Sequence, residues 1–257
     1  MFGVVKMLEY LQIAYPPTLD RELRRYYDVS DMTILRATVS HRYTYTANQG
    51  VFAVVFGRRL IYIKFTGPIE HLLPFEPVAI GVDCNSHAFL LGQEGDLWLY
   101  YPSTRELTLI ALHILTVAPD ATAVITKENT AVVGIETVTP SYITTDIPLI
   151  GTRSSGSHTA FCDINDQWYL GTEMIPFARA EGHIIHPASR IHYLRHDSLC
   201  WLSDNPVQVH KLMKGVRRII GANGSVVTEN HNGDLHFFMV SVKFPYGYTA
   251  EGEMIST

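Results

Sequence analysis

The chain is predicted to be all-β, a β-propeller of six or seven small antiparallel blades. Three observations predict it. A strand–turn–strand unit recurs at anchor positions Tyr62, Trp98, Val133, Trp168, Trp201 and His236, in steps of 36, 35, 35, 33 and 35 residues. A further short apolar run precedes each hairpin, so each unit offers about three strands, with room for a fourth. No Gly-, Ser- or Pro-rich linker or break in composition divides the chain, which makes residues 1–257 one domain. Sandwiches and barrels also use many short strands, but only a propeller explains repetition of a whole multi-strand unit. A lone small sheet cannot bury both its faces. Radial stacking buries them against neighbours, and closing the ring removes the exposed ends.

Residues 1–27 stand outside the repeat. Phe2-Gly3-Val4-Val5 reads as a strand, residues 7–15 read as a short helix or a strand, and Pro16-Pro17 ends that element. Thr18 is placed to cap a short helix running to Tyr27, with Asp20 and Glu22 in its first turn and Arg24 and Arg25 in its last, the order that suits the helix dipole. Residues 1–15 are expected to pair with the last strands around residues 240–244, completing the final blade. The repeats then occupy about residues 28–257.

In chain order, the apolar runs that precede the hairpins are Thr33-Ile34-Leu35, Val78-Ala79-Ile80-Gly81-Val82, His113-Ile114-Leu115-Thr116-Val117, Leu149-Ile150-Gly151, His183-Ile184-Ile185 and Val216-Arg217-Arg218-Ile219-Ile220. The hairpins that follow turn at Gly57-Arg58-Arg59, Gly92-Gln93-Glu94-Gly95, Lys127-Glu128-Asn129, Asp163-Ile164-Asn165-Asp166, Arg195-His196-Asp197 and Glu229-Asn230-His231-Asn232-Gly233. The second and sixth carry the strongest local signals, because Gly supplies positive φ and Asn and Asp tolerate it.

The hydrophobic fraction of 47% against 18% charged residues supplies a sizeable core and argues against disorder. A net charge of -5 argues against nucleic acid as the main ligand and against acidic membrane surfaces. Residues 1–14 are interrupted by Lys6 and Glu9, so no secretory signal is read. No apolar run approaches the roughly 18 residues of a membrane span. The three cysteines, Cys84, Cys162 and Cys200, are scattered among predicted strands. They are expected to be buried, reduced thiols of an intracellular protein, cytoplasmic or nuclear.

Two units carry a family resemblance. The run Val78 through Leu91, with its Ser86-His87 pair, followed by Glu94-Gly95-Asp96-Leu97-Trp98, resembles the repeat of the regulator of chromosome condensation family. Ser157-His158-Thr159-Ala160 with Gln167-Trp168-Tyr169-Leu170-Gly171 is similar to it, including the trailing Gly. The resemblance implies a propeller, typically of seven blades, and a role as an exchange factor, chromatin binder, light sensor or interaction platform. The units here are shorter than the family's, and the Gly-rich segment after the aromatic position is missing. No loop here is identified with the family's exchange wedge, so exchange activity is not carried over.

His183, His186, His192 and His196 crowd one stretch beside Asp197. A turn at residues 195–197 separates His192 from His196, and His183 and His186 point to opposite faces, so no metal site is expected. His87 and His158 share a repeat position and are read as structural, bridging backbone groups of adjacent turns. Trp98, Trp168 and Trp201 share another and are expected to be equivalent and mostly buried. If exposed, they would instead suit a carbohydrate-binding propeller similar to tectonin-type lectins. Ser154-Ser155-Gly156-Ser157-His158 lacks a nucleophile elbow, and no phosphate loop or dinucleotide fingerprint is present.

The reading is a non-enzymatic scaffold without cofactor that binds another protein through loops on one face. An enzyme with its site in the central channel is the remaining alternative. The connectors diverge while the hairpins keep register: residues 101–112 are polar and charged, 137–148 rich in Thr and Pro, and 205–215 basic. Lys211, Lys214, Arg217 and Arg218 are the nominated partner-binding residues.

Overall fold

The computed structural model describes residues 43–257 other than 136, 156–157, 166, 171–173, 180–183, 187–189, 196, 205–206 and 223–224, with side chains given for only some of residues 150–224. The strands predicted from Thr33-Ile34-Leu35 and residues 1–15, and the helix over 18–27, lie outside these residues.

Every described element is a strand. Blade 1 comprises β1 (Tyr43–Asn48), β2 (Val51–Phe56), β3 (Arg59–Ile63) and β4 (Ile69–Leu72). Blade 2 comprises β5 (Ala79–Val82), β6 (Ala88–Leu91), β7 (Leu97–Tyr101) and β8 (Glu106–Ala111). Blade 3 comprises β9 (Ile114–Val117), β10 (Ala123–Thr126), β11 (Thr130–Val133) and β12 (Ser141–Thr144). Blade 4 comprises β13 (Leu149–Ser155), β14 (His158–Asp163), β15 (Gln167–Leu170) and β16 (Ile175–Arg179). Blade 5 comprises β17 (Ile184–His186), β18 (Arg190–Arg195), β19 (Ser198–Asp204) and β20 (Val207–Met213). Blade 6 comprises β21 (Val216–Ala222), β22 (Ser225–Asn230), β23 (Leu235–Met239), β24 (Val242–Lys243), β25 (Tyr246–Tyr248) and β26 (Met254–Ser256). In blades 1–5 consecutive strands pair in order; in blade 6 both β24 and β25 pair with β23. The first strands touch in cyclic order, β1 to β5, β9, β13, β17, β21 and back to β1, so the six sheets of the described residues follow one another around a propeller-like ring.

Burial on both faces explains the continuous apolar runs. In β2, Phe52, Val54 and Phe56 pack toward blade 6, while Ala53 and Val55 pack toward blade 2. β1 alternates instead: Tyr43 and Tyr45 join the blade 6 side, whereas the Thr46 hydroxyl donates to the Pro119 carbonyl and the Asn48 amide donates to the Val82 carbonyl at 3.2 Å.

The seam between blades 1 and 6 is aromatic. Phe52 meets Phe237 edge-on at 5.6 Å and Phe244 at 4.9 Å, and Phe56 lies 5.9 Å from Tyr248. The Tyr43 hydroxyl donates to the Gly233 carbonyl at 3.1 Å. The β25–β26 turn presses Gly252 onto Phe56, where a Cβ would come within 2.9 Å of the ring.

One turn design recurs. A first residue bearing a side-chain acceptor binds the amides two and four positions on, and the fourth residue takes a left-handed conformation. Asp83 accepts from the Asn85 and His87 amides, Asn230 from Asn232 and Asp234, and Thr249 from Glu251 and Glu253. The fourth residues are Ser86, Gly233 and Gly252, at φ 71°, 88° and 87°.

Phe237 is fully buried in the seam. Phe237→Ala is expected to lower unfolding free energy by about 3–5 kcal/mol, read from urea denaturation followed by circular dichroism.

Candidate functional site

The meander fixes two loop faces. The turns between second and third strands emerge on the same side as the links from each blade to the next, and backbone bonds stitch these together. Ile114 N donates to Gly95 O (2.8 Å), Ile164 N to Pro148 O (3.0 Å) and Val216 N to Asp197 O (2.7 Å). This connector face carries Leu112, Leu115, Ile147 and Ile164, all exposed. It also carries the basic cluster.

The four nominated basic residues are not one loop. Lys211 lies on β20, Lys214 on the two-residue link, and Arg217 and Arg218 on β21, the first strand of blade 6. Lys211, Lys214 and Arg217 are exposed, and Arg218 is half-buried. Arg217 is also tied inward: its Nη1 lies 3.6 Å from Oε1 of Glu229, a carboxylate only 3% exposed. Glu229 Oε2 accepts from the Tyr45 hydroxyl at 3.1 Å. Burial, then the Glu229 charge, hold the Tyr43 hydroxyl above the usual tyrosine range. Sequence reasoning missed Glu229 because it reads as a turn residue; its register opposite Arg218 is the signal that locates it.

Trp98 and Trp201 lie on third strands, as does the backbone of Trp168, but the two described rings are half-buried and locally engaged. Trp98 donates its indole N–H to Asp96 and packs 6.0 Å from Phe75. Trp201 stacks on His210 at 4.6 Å. Nor do the anchors share a face. Trp98 and Tyr62 meet from opposite sides of the blade 1–2 interface, while Val133 packs toward blade 4. His87 binds within its own turn rather than between turns: its Nδ1 lies 3.0 Å from Oδ2 of Asp83, and its ring meets Tyr101 edge-on at 4.9 Å. His158 opens β14 in register with Ser155; its side chain, with those of Trp168 and Cys162, lies outside the described set. Cys200 is buried as expected, but Cys84 sits in the Asp83–His87 turn, exposed. His183 and His196 lie outside the described residues. Among the described residues, no three His, Cys, Asp or Glu side chains gather to hold a metal ion, and no helix is long and apolar enough to cross a membrane.

On the opposite face, the turn at residues 118–122 joins three blades. Pro119 O accepts from Val82 N at 2.9 Å, and the backbone approaches so closely that a Cβ on Gly81 would meet Ala118 O at 2.4 Å. Asp120 is 2% exposed, and its Oδ1 accepts from the Thr122 hydroxyl at 2.8 Å. Burial pushes its carboxyl up to about 6, against the opposing pull of the Thr122 bonds.

Neither a protein-family model nor a curated protein matches the sequence. Solved structures with similar folds are numerous. A virginiamycin B lyase from Staphylococcus aureus aligns at 11% identity over 79% of this chain and 82% of its own, with TM-score 0.46. A chain of the mitotic checkpoint complex aligns at 8% identity over 88% and 79%, with TM-score 0.48. PorZ, a surface component of the type-IX secretion system of Porphyromonas gingivalis, aligns at 8% identity over 88% of this chain and 39% of its own, with TM-score 0.42.

Two predictions follow from these sites. Arg217→Glu sets a like charge against buried Glu229, whereas Lys214→Glu does not. Arg217→Glu should cost about 1–2 kcal/mol, discounted for the half-exposed guanidinium, and Lys214→Glu less than about 0.5 kcal/mol, measured by chemical denaturation. For Asp120, the folded pKa of about 6 exceeds the ordinary 3.8, so the native state holds this proton more tightly than the unfolded chain. Its contribution is full at low pH and is lost as pH rises through about 6. Asp120→Asn should therefore gain stability relative to the parent across that window, by up to about 3 kcal/mol, in melts at stepped pH.

Proposed function

We propose that this chain is a non-enzymatic propeller domain that binds another protein through its connector face. The observation that carries this reading is the placement of exposed aliphatic side chains, Leu112, Leu115, Ile147 and Ile164, on the same face as exposed Lys211, Lys214 and Arg217. Isolated exposed aliphatics are ordinary on any surface, but several on one loop face beside a charged rim fit an interaction surface. The connectors are tied to neighbouring turns through backbone groups, as at Ile114 N to Gly95 O and Ile164 N to Pro148 O, which leaves their exposed side chains free to diverge. The Trp98 and Trp201 rings, spent on Asp96, Phe75 and His210, favour a scaffold over a carbohydrate-stacking surface. Kinship to the regulator of chromosome condensation repeats remains part of this reading, supported by the Ser86-His87 element leading into β6. So does an intracellular setting, for which the exposed Cys84 thiol is suited.

Photo-cross-linking tests the reading. A benzophenone side chain at Ile164 should cross-link a protein from the source lysate, and excess unlabelled chain should compete it away. The same group at Val138, fully exposed on the opposite face, should not. Equal labelling from both positions, or labelling only from Val138, would overturn it.

A further inference from the structure

Backbone register places two unlike side chains at the same structural position. Ile114 opens β9 by donating to the Gly95 carbonyl of blade 2, and Val216 opens β21 by donating to the Asp197 carbonyl of blade 5. Both are buried against the preceding blade. The next residues, Leu115 and Arg217, are therefore equivalent. Each is the second residue of a first strand, at the connector-face mouth of the ring. Blades 3 and 6 are three steps apart in a cycle of six, so these residues stand on opposite sides of the axis. Leu115 is 47% exposed and the Arg217 side chain 49% exposed.

Around each, the surface follows suit. Leu112, Ile147 and Ile164 extend the apolar side from blade 3 to blade 4. Lys211 and Lys214 extend the cationic side, with Asp197 as the acidic neighbour. Glu94, Glu128 and Asp146 are exposed on the connector face of blades 2 to 4, around the apolar side, and outnumber exposed Lys127, whose ammonium is bound to the Glu94 carbonyl. An acidic ligand end is thus attracted toward blade 6 and repelled from blade 3, which sets one orientation. Glu229, itself held by the Tyr45 hydroxyl, draws the Arg217 guanidinium from behind at 3.6 Å, which reduces the ordering left for binding.

We propose that this mouth is a bipartite site for a linear segment of the partner, acidic at one end and aliphatic at the other. The acidic side chains lie over Lys214 and Arg217, and the aliphatic ones lie on Leu112 and Leu115. This deepens the protein-binding reading and rests on it.

The test uses the full chain and a displayed library of random dodecapeptides. Enriched peptides should pair Asp or Glu at one end with Leu, Ile or Val at the other. In fluorescence anisotropy, Lys214→Glu and Leu115→Ser should each weaken the best peptide about tenfold, with melting temperature unchanged. Raising salt from roughly 50 to 300 mM should weaken binding to the parent and have less effect on Lys214→Glu. Enriched peptides without acidic residues, binding indifferent to both substitutions, or no enrichment at all would overturn this inference. Cross-linking from Ile164 separates the two claims. If it persists while peptides fail, the partner docks as a folded surface and the broader reading stands. If it also fails, both fall.

Discussion

The structure depends on the seam between its first and last blades. Each sheet here is too narrow to bury both faces alone, so every blade relies on two neighbours, and one open joint would expose two apolar surfaces. Among the described residues no strand crosses that joint. The described strands of blade 6 come from residues 216–256, and those of blade 1 begin at Tyr43. Within the described residues, closure rests on side chains. Phe52 and Phe56 reach from blade 1, while Phe237, Phe244 and Tyr248 reach from blade 6. Edge-to-face contacts of this kind add a modest amount beyond area burial, but the large area of each ring does most of the stabilising. The β25–β26 turn then laps over Phe56, so the C-terminal hairpin acts as a clasp across the joint.

Local chemistry makes closure possible by keeping the hairpins short and rigid. The capped turns spend side-chain oxygens of Asp83, Asn230 and Thr249 on amides that would otherwise lack partners at the sheet ends. A residue in the left-handed region then returns the chain into register. The links between blades are tied to these turns through backbone groups, so divergence of their exposed side chains costs little.

The third strands were legible in the sequence because they carry the large aromatics at a near-constant step. Their facing was not. Both faces of a blade are buried, so apolar periodicity does not report which neighbour a residue meets, and Tyr62 and Trp98 meet across one interface although they share a repeat position. The first strand of blade 1 was invisible for a related reason. Tyr43-Thr44-Tyr45-Thr46 alternates rather than running apolar, because Thr46 serves a hydrogen bond to the Pro119 carbonyl and the tyrosines serve the seam. Fourth strands were only partly legible, since outer strands such as Ile69–Leu72 and Ser141–Thr144 are largely exposed and lack an apolar run. At the candidate site, the basic residues were visible as composition. The carboxylate that fixes one of them was not, because its pairing depends on register between β21 and β22.

That carboxylate links the site to the fold. Glu229 is buried on the blade 6 side of the seam, accepts from Tyr45 of blade 1, and faces Arg217 at the mouth. Removing Arg217 leaves a buried negative charge next to the closing joint. A carboxylate of the proposed segment competes with Glu229 for the same guanidinium, which lowers its affinity, whereas the aliphatic end meets no such competitor at Leu115. Because binding to the closed form alone stabilises it by mass action, ring stability should rise with affinity: more for a segment that reaches blade 3 than for a lone carboxylate at Arg217. The apolar half of the proposed site is thus what would add affinity, and with it stability, to charge recognition.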